Sequence, residues 1–96
     1  MLQHEQTHFD ISEFFKRLLI KRLSEFSFTQ ANFSNAIKEI HADILIQKNK
    51  MDDTYDIETD FHRNAKQQVI WTIKINKSID DLNLFDNSIL KLRLKN

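Results

Sequence analysis

Three residue types that shape most small folds are missing from this chain of 96 residues, which has no glycine, no proline and no cysteine. Without glycine and proline, sharp turns, left-handed helix caps and tight hairpins lose their usual residues, and long helices with polar connections are expected. Without cysteine there is neither a disulfide framework nor a thiolate ligand, so any metal site has to be built from His, Asp and Glu. The redox compartment stays open. Net charge is missing too, because 14 Lys and Arg balance 14 Asp and Glu. That balance argues against a nucleic-acid or acidic-membrane binder, which relies on excess positive charge. No stretch is apolar for long enough to cross a bilayer, and no basic and then apolar leader opens the sequence. A cytoplasmic location is expected for the chain as written, and an exported or periplasmic one if an upstream leader has been lost.

What is present is globular: 41% hydrophobic and 29% charged residues. A chain of this length forms one domain, here residues 1–96, with a modest core and little left over for a deep, walled cleft. Ile11, Phe15, Leu18, Leu19 and Phe26 recur at helical steps and predict a first helix over residues 1–26. His4 and His8 fall on the same stripe, while Lys16, Arg17, Lys21 and Arg22 read as a solvated face. After a break at residues 24–28, Ser27 with Gln30, or Thr29 alone, can cap a second helix over residues 29–59. Its residues Phe33, Ile37, Ile40, Ile44, Met51 and Tyr55 keep close to a seven-residue repeat, and the short connection predicts antiparallel packing on the first helix. Asn64 with Gln67 is a capping signal for a third helix over residues 64–84, whose buried face is marked by Trp71, Ile75, Ile79 and Leu82. Residues 90–95 alternate strictly, so a strand is expected over residues 88–95. No partner for it is visible within the chain, so it is expected to pair with another chain or fray. The fold class is therefore all-α, a three-helix bundle of long antiparallel helices with a short C-terminal extended segment.

The chemistry concentrates in residues 4–8, HEQTH. Residues four apart on a helix stand one above the other, so His4 and His8 can offer two imidazole nitrogens to one ion. Glu5 lies about 100° further round the axis, where it can reach a metal-activated water without becoming a ligand. A zinc ion brings its water toward neutral acidity, and Glu5 is then suited to take the proton and return it to a leaving amine.

The longer string HEQTHFDISEFFKRLL, together with YDIETDFHRNAKQQVIW at residues 55–71, resembles a family of bacterial zinc-dependent proteases, zincin-like and still largely a domain of unknown function. That family carries HEQxHFDI at the start of a helix and, later, YDxET followed by a His, an Asn, a Gln and a Trp. With the helical spacer between, the resemblance covers the chain from Leu2 to about Leu82. It implies the metal-helix portion of a zincin-like fold, a Zn2+ cofactor, a peptide or protein substrate, His4 and His8 as metal ligands and Glu5 as the catalytic residue. The third ligand departs from the pattern, because Phe61 stands where the family has its His and the imidazole comes one residue later, at His62. Glu58 and Asp56 are the substitutes, since carboxylate oxygens also complete zinc sites.

A ligating imidazole is usually oriented through its other nitrogen, and Asp10, Glu13 and Asp56 are candidates for that task, with Glu13 reading better as a solvated residue. His41 lies off the matched strings and reads as a surface histidine, and Trp71 as core. The strands that hold substrate above the metal helix of a zinc protease have no counterpart before residue 4. A second reading follows: a non-catalytic helical interaction module, or a degenerate relative with a vestigial metal site, its apolar stripes covered in a homodimer or by a partner chain, with residues 90–94 as a pairing edge. Binding of nucleic acid is the weakest reading.

Overall fold

The computed structural model describes residues 2–85 and 93–95. Its elements are helix α1 (Gln3–Glu25), strand β1 (Ser27–Thr29), helix α2 (Phe33–Glu58), helix α3 (Ala65–Asp81), a 3-10 turn (Asn83–Phe85) and strand β2 (Arg93–Lys95). The fold is all-α, as the periodicity predicts. Helix α1 is the spine, and α2 and α3 both pack on it.

The stripe on α1 is buried at His4, Thr7, Ile11, Phe15 and Leu23, each separated by helical steps. Ile11 and Phe15 meet Ile40, Ile44 and Tyr55 of α2 and Trp71 and Ile75 of α3 in one core cluster. Complete burial of a side chain such as Ile11 contributes about 1.5–3 kcal/mol. The direction of packing follows from cross-helix bonds. His4 and His8 near the start of α1 meet Asp56 near the end of α2, so these two helices are antiparallel. Gln3 meets Thr72 and Arg17 meets Ile79, so α3 runs in the same general sense as α1.

Two of the four basic residues assigned to a solvated face work between helices. Arg17 donates from Nη1 to the Ile79 carbonyl oxygen at 2.9 Å, in the last turn of α3, where that oxygen also accepts from Leu82 N at 3.0 Å. Its Nε donates to Glu13 Oε2 at 2.7 Å, and this pairing holds the Glu13 carboxyl below the usual carboxylate range. Arg22 reaches Asp43 of α2.

The second helix begins at Phe33, four residues later than the sequence suggests. Thr29 and Asn32 bond reciprocally, Thr29 N to Asn32 Oδ1 at 2.8 Å and Asn32 N to Thr29 Oγ1 at 3.1 Å, and so close a turn instead of capping a helix. Just before that turn, Phe28 is fully buried between the rings of Phe26 and Phe33. Residues 27–29 are thereby extended, and they supply the partner that the terminal strand was expected to lack: β1 and β2 pair in parallel, Ser27 against Arg93 and Thr29 against Lys95. The expectation of pairing only with another chain, or of fraying, is corrected on this point. The remainder of the expected strand, and most of the expected dimer edge at residues 90–94, lie outside the described residues.

The connection between α2 and α3 contradicts the expectation that a chain without glycine avoids left-handed backbone. Asp60, Phe61 and His62 have φ of 48°, 52° and 89°, at a cost of roughly 1–2 kcal/mol for each Cβ-bearing residue. The bonds Phe61 N to Asp56 O at 2.8 Å and Asn64 N to Thr59 O at 2.9 Å hold the turn, and buried Thr59 donates from Oγ1 to Tyr55 O at 2.7 Å. Asn64 caps α3 as expected, its Oδ1 accepting from Gln67 N at 3.1 Å. Helix α3 ends at Asp81, and the 3-10 turn takes up the last residues of the expected third helix. Among the described residues no helix is long and apolar enough to cross a membrane.

Candidate metal centre

The tight α2–α3 turn brings the end of α2 and the start of α3 against the start of α1. His4 Nε2 lies 2.8 Å from Asp56 Oδ1, and His8 Nε2 lies 2.7 Å from the same oxygen. His4, His8 and Asp56 form a group whose ligand atoms are all within 4.8 Å of one another. His4 is only 7% exposed, whereas His8 and Asp56 are half-buried, so the group opens to solvent on one side.

The other imidazole nitrogens fix where the protons are. Gln68 donates from Nε2 to Thr7 Oγ1 at 3.2 Å and Thr72 Oγ1 at 3.4 Å, which turns its carbonyl oxygen toward His4. That oxygen can only accept, so His4 Nδ1, 3.1 Å away, is its donor. His8 Nδ1 lies 2.9 Å from Asp52 Oδ1 and donates to that carboxylate. In the neutral tautomers the two Nε2 atoms therefore carry lone pairs, and both are aimed at one carboxylate oxygen. Lone pairs converging in this way require positive charge between them, supplied either by a proton on each ring or by one cation. Burial alone pulls the His8 pKa down, but hydrogen bonds and charge from Asp52 and Asp56 outweigh it, and the value is raised.

Tyr55 backs the pair. Its ring stacks on His4 with centroids 4.6 Å apart and meets His8 edge-on at 4.8 Å. Its single hydroxyl proton is shared between the His4 carbonyl oxygen at 3.0 Å and Gln68 Oε1 at 2.8 Å. Burial, helped by the charges of Asp56 and Glu5, pushes this hydroxyl above its ordinary pKa and keeps it a donor. The YDxET string is thus spent on the site: Tyr55 and Asp56 face the histidines, Thr59 anchors the turn, and Glu58 accepts from Trp71 Nε1 at 3.0 Å.

The remaining sequence candidates sit as follows. Glu5 is exposed and lines a hollow of about 170 Å³ with His8, Phe9, Ser12, Lys48 and Asp52. His62, on the left-handed turn, is outside the three-residue group; its ring centre is 6.2 Å from that of His4, and both line a second hollow. Of the two substitutes, Asp56 joins the histidines, whereas Glu58 is tied to Trp71, which is core as expected. Asp10 accepts from Gln6 on its own helix at 3.0 Å, and Asp52 and Gln68 hold the Nδ1 atoms instead. Glu13 is engaged by Arg17, and His41 is exposed. Asp52 had a visible signal, since Asp52 and Asp56 repeat on α2 the four-residue step of His4 and His8 on α1. Gln68 had none strong enough, because its role depends on the angle at which α3 leaves the turn.

No protein-family model, curated protein or solved structure matches the chain.

Proposed function

We propose that the chain is a zinc-dependent metallopeptidase that holds its ion with His4, His8 and Asp56. The observation that carries this reading is the meeting of two imidazole Nε2 atoms at one Asp56 oxygen, with both Nδ1 atoms already engaged by Gln68 and Asp52. Two imidazoles and one carboxylate are a donor set used by catalytic zinc, which keeps a further position open for water or substrate. When bound, the ion supplies a Lewis acid that activates water and polarises a peptide carbonyl.

The chain's own residues divide the rest of the work. Asp52 and Gln68 hold the imidazoles in the ligating tautomer. Glu5, adjacent to His4 in sequence and beside His8 at the open hollow, is the general base and then the acid. The resemblance of HEQTHFDI and YDIET to a protease family supports the same assignment, with Asp56 in the role that the pattern gives to a later His. Peptide cleavage by the zinc-loaded protein tests it: Glu5→Gln should abolish turnover while zinc content and helicity stay as in the parent. Unchanged cleavage would remove Glu5 from the catalytic role.

A second reading, a helical interaction module with a structural metal site, is favoured by the apolar residues that α3 turns outward, Val69 at 57% and Ile73 at 65% exposed. It predicts an oligomer whose assembly is indifferent to chelators, and light scattering of a strict monomer at high concentration would exclude it.

A further inference from the structure

The two ligand imidazoles end on different kinds of acceptor. His4 gives its Nδ1 proton to the neutral amide oxygen of Gln68, whereas His8 gives its proton to the carboxylate of Asp52. The second oxygen of that carboxylate, Oδ2, receives Lys48 Nζ at 2.7 Å. Lys48, Asp52 and Asp56 stand one turn apart along α2, forming a row of ammonium, orienting carboxylate and ligand carboxylate that runs along His8. Lys48 and Asp52 also wall the hollow that Glu5 lines.

We propose that the Lys48–Asp52 pair positions His8 and makes it the stronger of the two imidazole donors to the ion. The proposal rests on the metal-site reading given above. A carboxylate acceptor raises the donor strength of a ligating imidazole, and a hydrogen bond to a charged group is roughly twice as strong as one to a neutral amide. Lys48 fixes which Asp52 oxygen is available. With Oδ2 engaged by the ammonium, Oδ1 stays on His8 Nδ1, and Asp52 is kept from turning toward the ion in competition with Asp56. His4 needs no such support from charge, because Gln68 is itself held by Thr7, Thr72 and Tyr55.

The test is a competition titration of the full chain against a chromophoric zinc chelator, with Asp52→Asn, Asp52→Glu and Lys48→Met beside the parent. Asp52→Asn should weaken zinc binding by about 10- to 100-fold at unchanged stoichiometry and helicity, Lys48→Met should weaken it less, and Asp52→Glu should recover part of the loss. A merely structural role would not move the imidazole protons, so nitrogen–proton NMR of the rings gives a second readout. The His8 Nδ1 proton should resonate at lower field than that of His4, and only the His8 signal should shift in Asp52→Asn. Should Asp52→Asn fail to fold, Lys48→Met and the ring spectrum of the parent still decide. Zinc binding by Asp52→Asn and Lys48→Met at the parent's strength would overturn the positioning role and leave the metal site standing. A parent that binds no zinc would overturn both.

Discussion

Tyr55 lies flat on His4, ring centroids 4.6 Å apart and planes 16° apart, while its hydroxyl donates to the backbone oxygen of the same histidine at 3.0 Å. One buried side chain therefore fixes both the ring and the main chain of a metal-ligand candidate. Tyr55→Phe keeps the stack and removes the hydroxyl, so the one proton shared between the His4 carbonyl and Gln68 Oε1 is lost, although Gln68 Oε1 still accepts from His4 Nδ1. The expected loss is about 1–3 kcal/mol, seen as a lowered Tm. An unchanged Tm would mean that the hydroxyl contributes nothing to holding the site.

The metal-free protein should lose stability as pH rises above about 6.5, the ordinary histidine value. His8 has its pKa raised in the folded state, so the stabilisation it gives is fully present below its ordinary value of about 6.5 and is lost as pH rises through the higher folded value. Zinc held as proposed by His4 and His8 would reverse the slope, because ligating imidazoles must be deprotonated and the ion's contribution then grows with pH. Thermal melts with a chelator and with zinc, across roughly pH 5 to 8, should diverge as pH increases. Parallel curves would argue that His8 takes no part in holding the ion.

The turn between α2 and α3 offers a stabilising substitution. Phe61 has φ of 52° and is 53% exposed, so Phe61→Gly relieves left-handed strain and removes little buried surface. The expected gain is about 1 kcal/mol, reduced in part by the greater freedom of glycine in the unfolded chain. Chemical denaturation measures it, and a loss of stability would show that the Phe61 ring holds the turn.

Burial separates two isoleucines of like chemistry. Ile11 is completely buried on α1, whereas Ile73 is 65% exposed on α3. Ile11→Ala should cost about 2–5 kcal/mol and Ile73→Ala within about 0.5 kcal/mol. A large cost at Ile73 in a concentration-dependent melt would favour the interaction reading, because that residue would then be covered by another chain.

The three helices were legible because their apolar residues keep a helical period over many turns, and Asn64 with Gln67 marks a true cap. Residues 27–29 were not, since three residues are too few for a strand period and Phe28 is buried by partners distant in sequence. The left-handed turn was invisible for a different reason: its usual marker, glycine, is absent, and the bonds around Thr59 hold Asp60, Phe61 and His62 there instead. At the candidate site, the four-residue spacing was enough to bring His4 and His8 together. Asp56 could be named only as a substitute, because choosing it over His62 and Glu58 requires knowing which face of α2 meets α1. Asp52 shows in sequence only through its four-residue step to Asp56, and Gln68 depends on the angle at which α3 leaves the turn, which no local pattern encodes.

We propose that His4, His8 and Asp56 together hold one divalent ion. The most direct measurement is elemental analysis of the tag-free protein grown with zinc, beside a His4→Ala, His8→Ala double variant and Asp56→Asn. Close to one zinc per chain is expected in the parent, none in the double variant, and marked loss in Asp56→Asn with helicity retained. No zinc in the parent, or full zinc in Asp56→Asn, would contradict it.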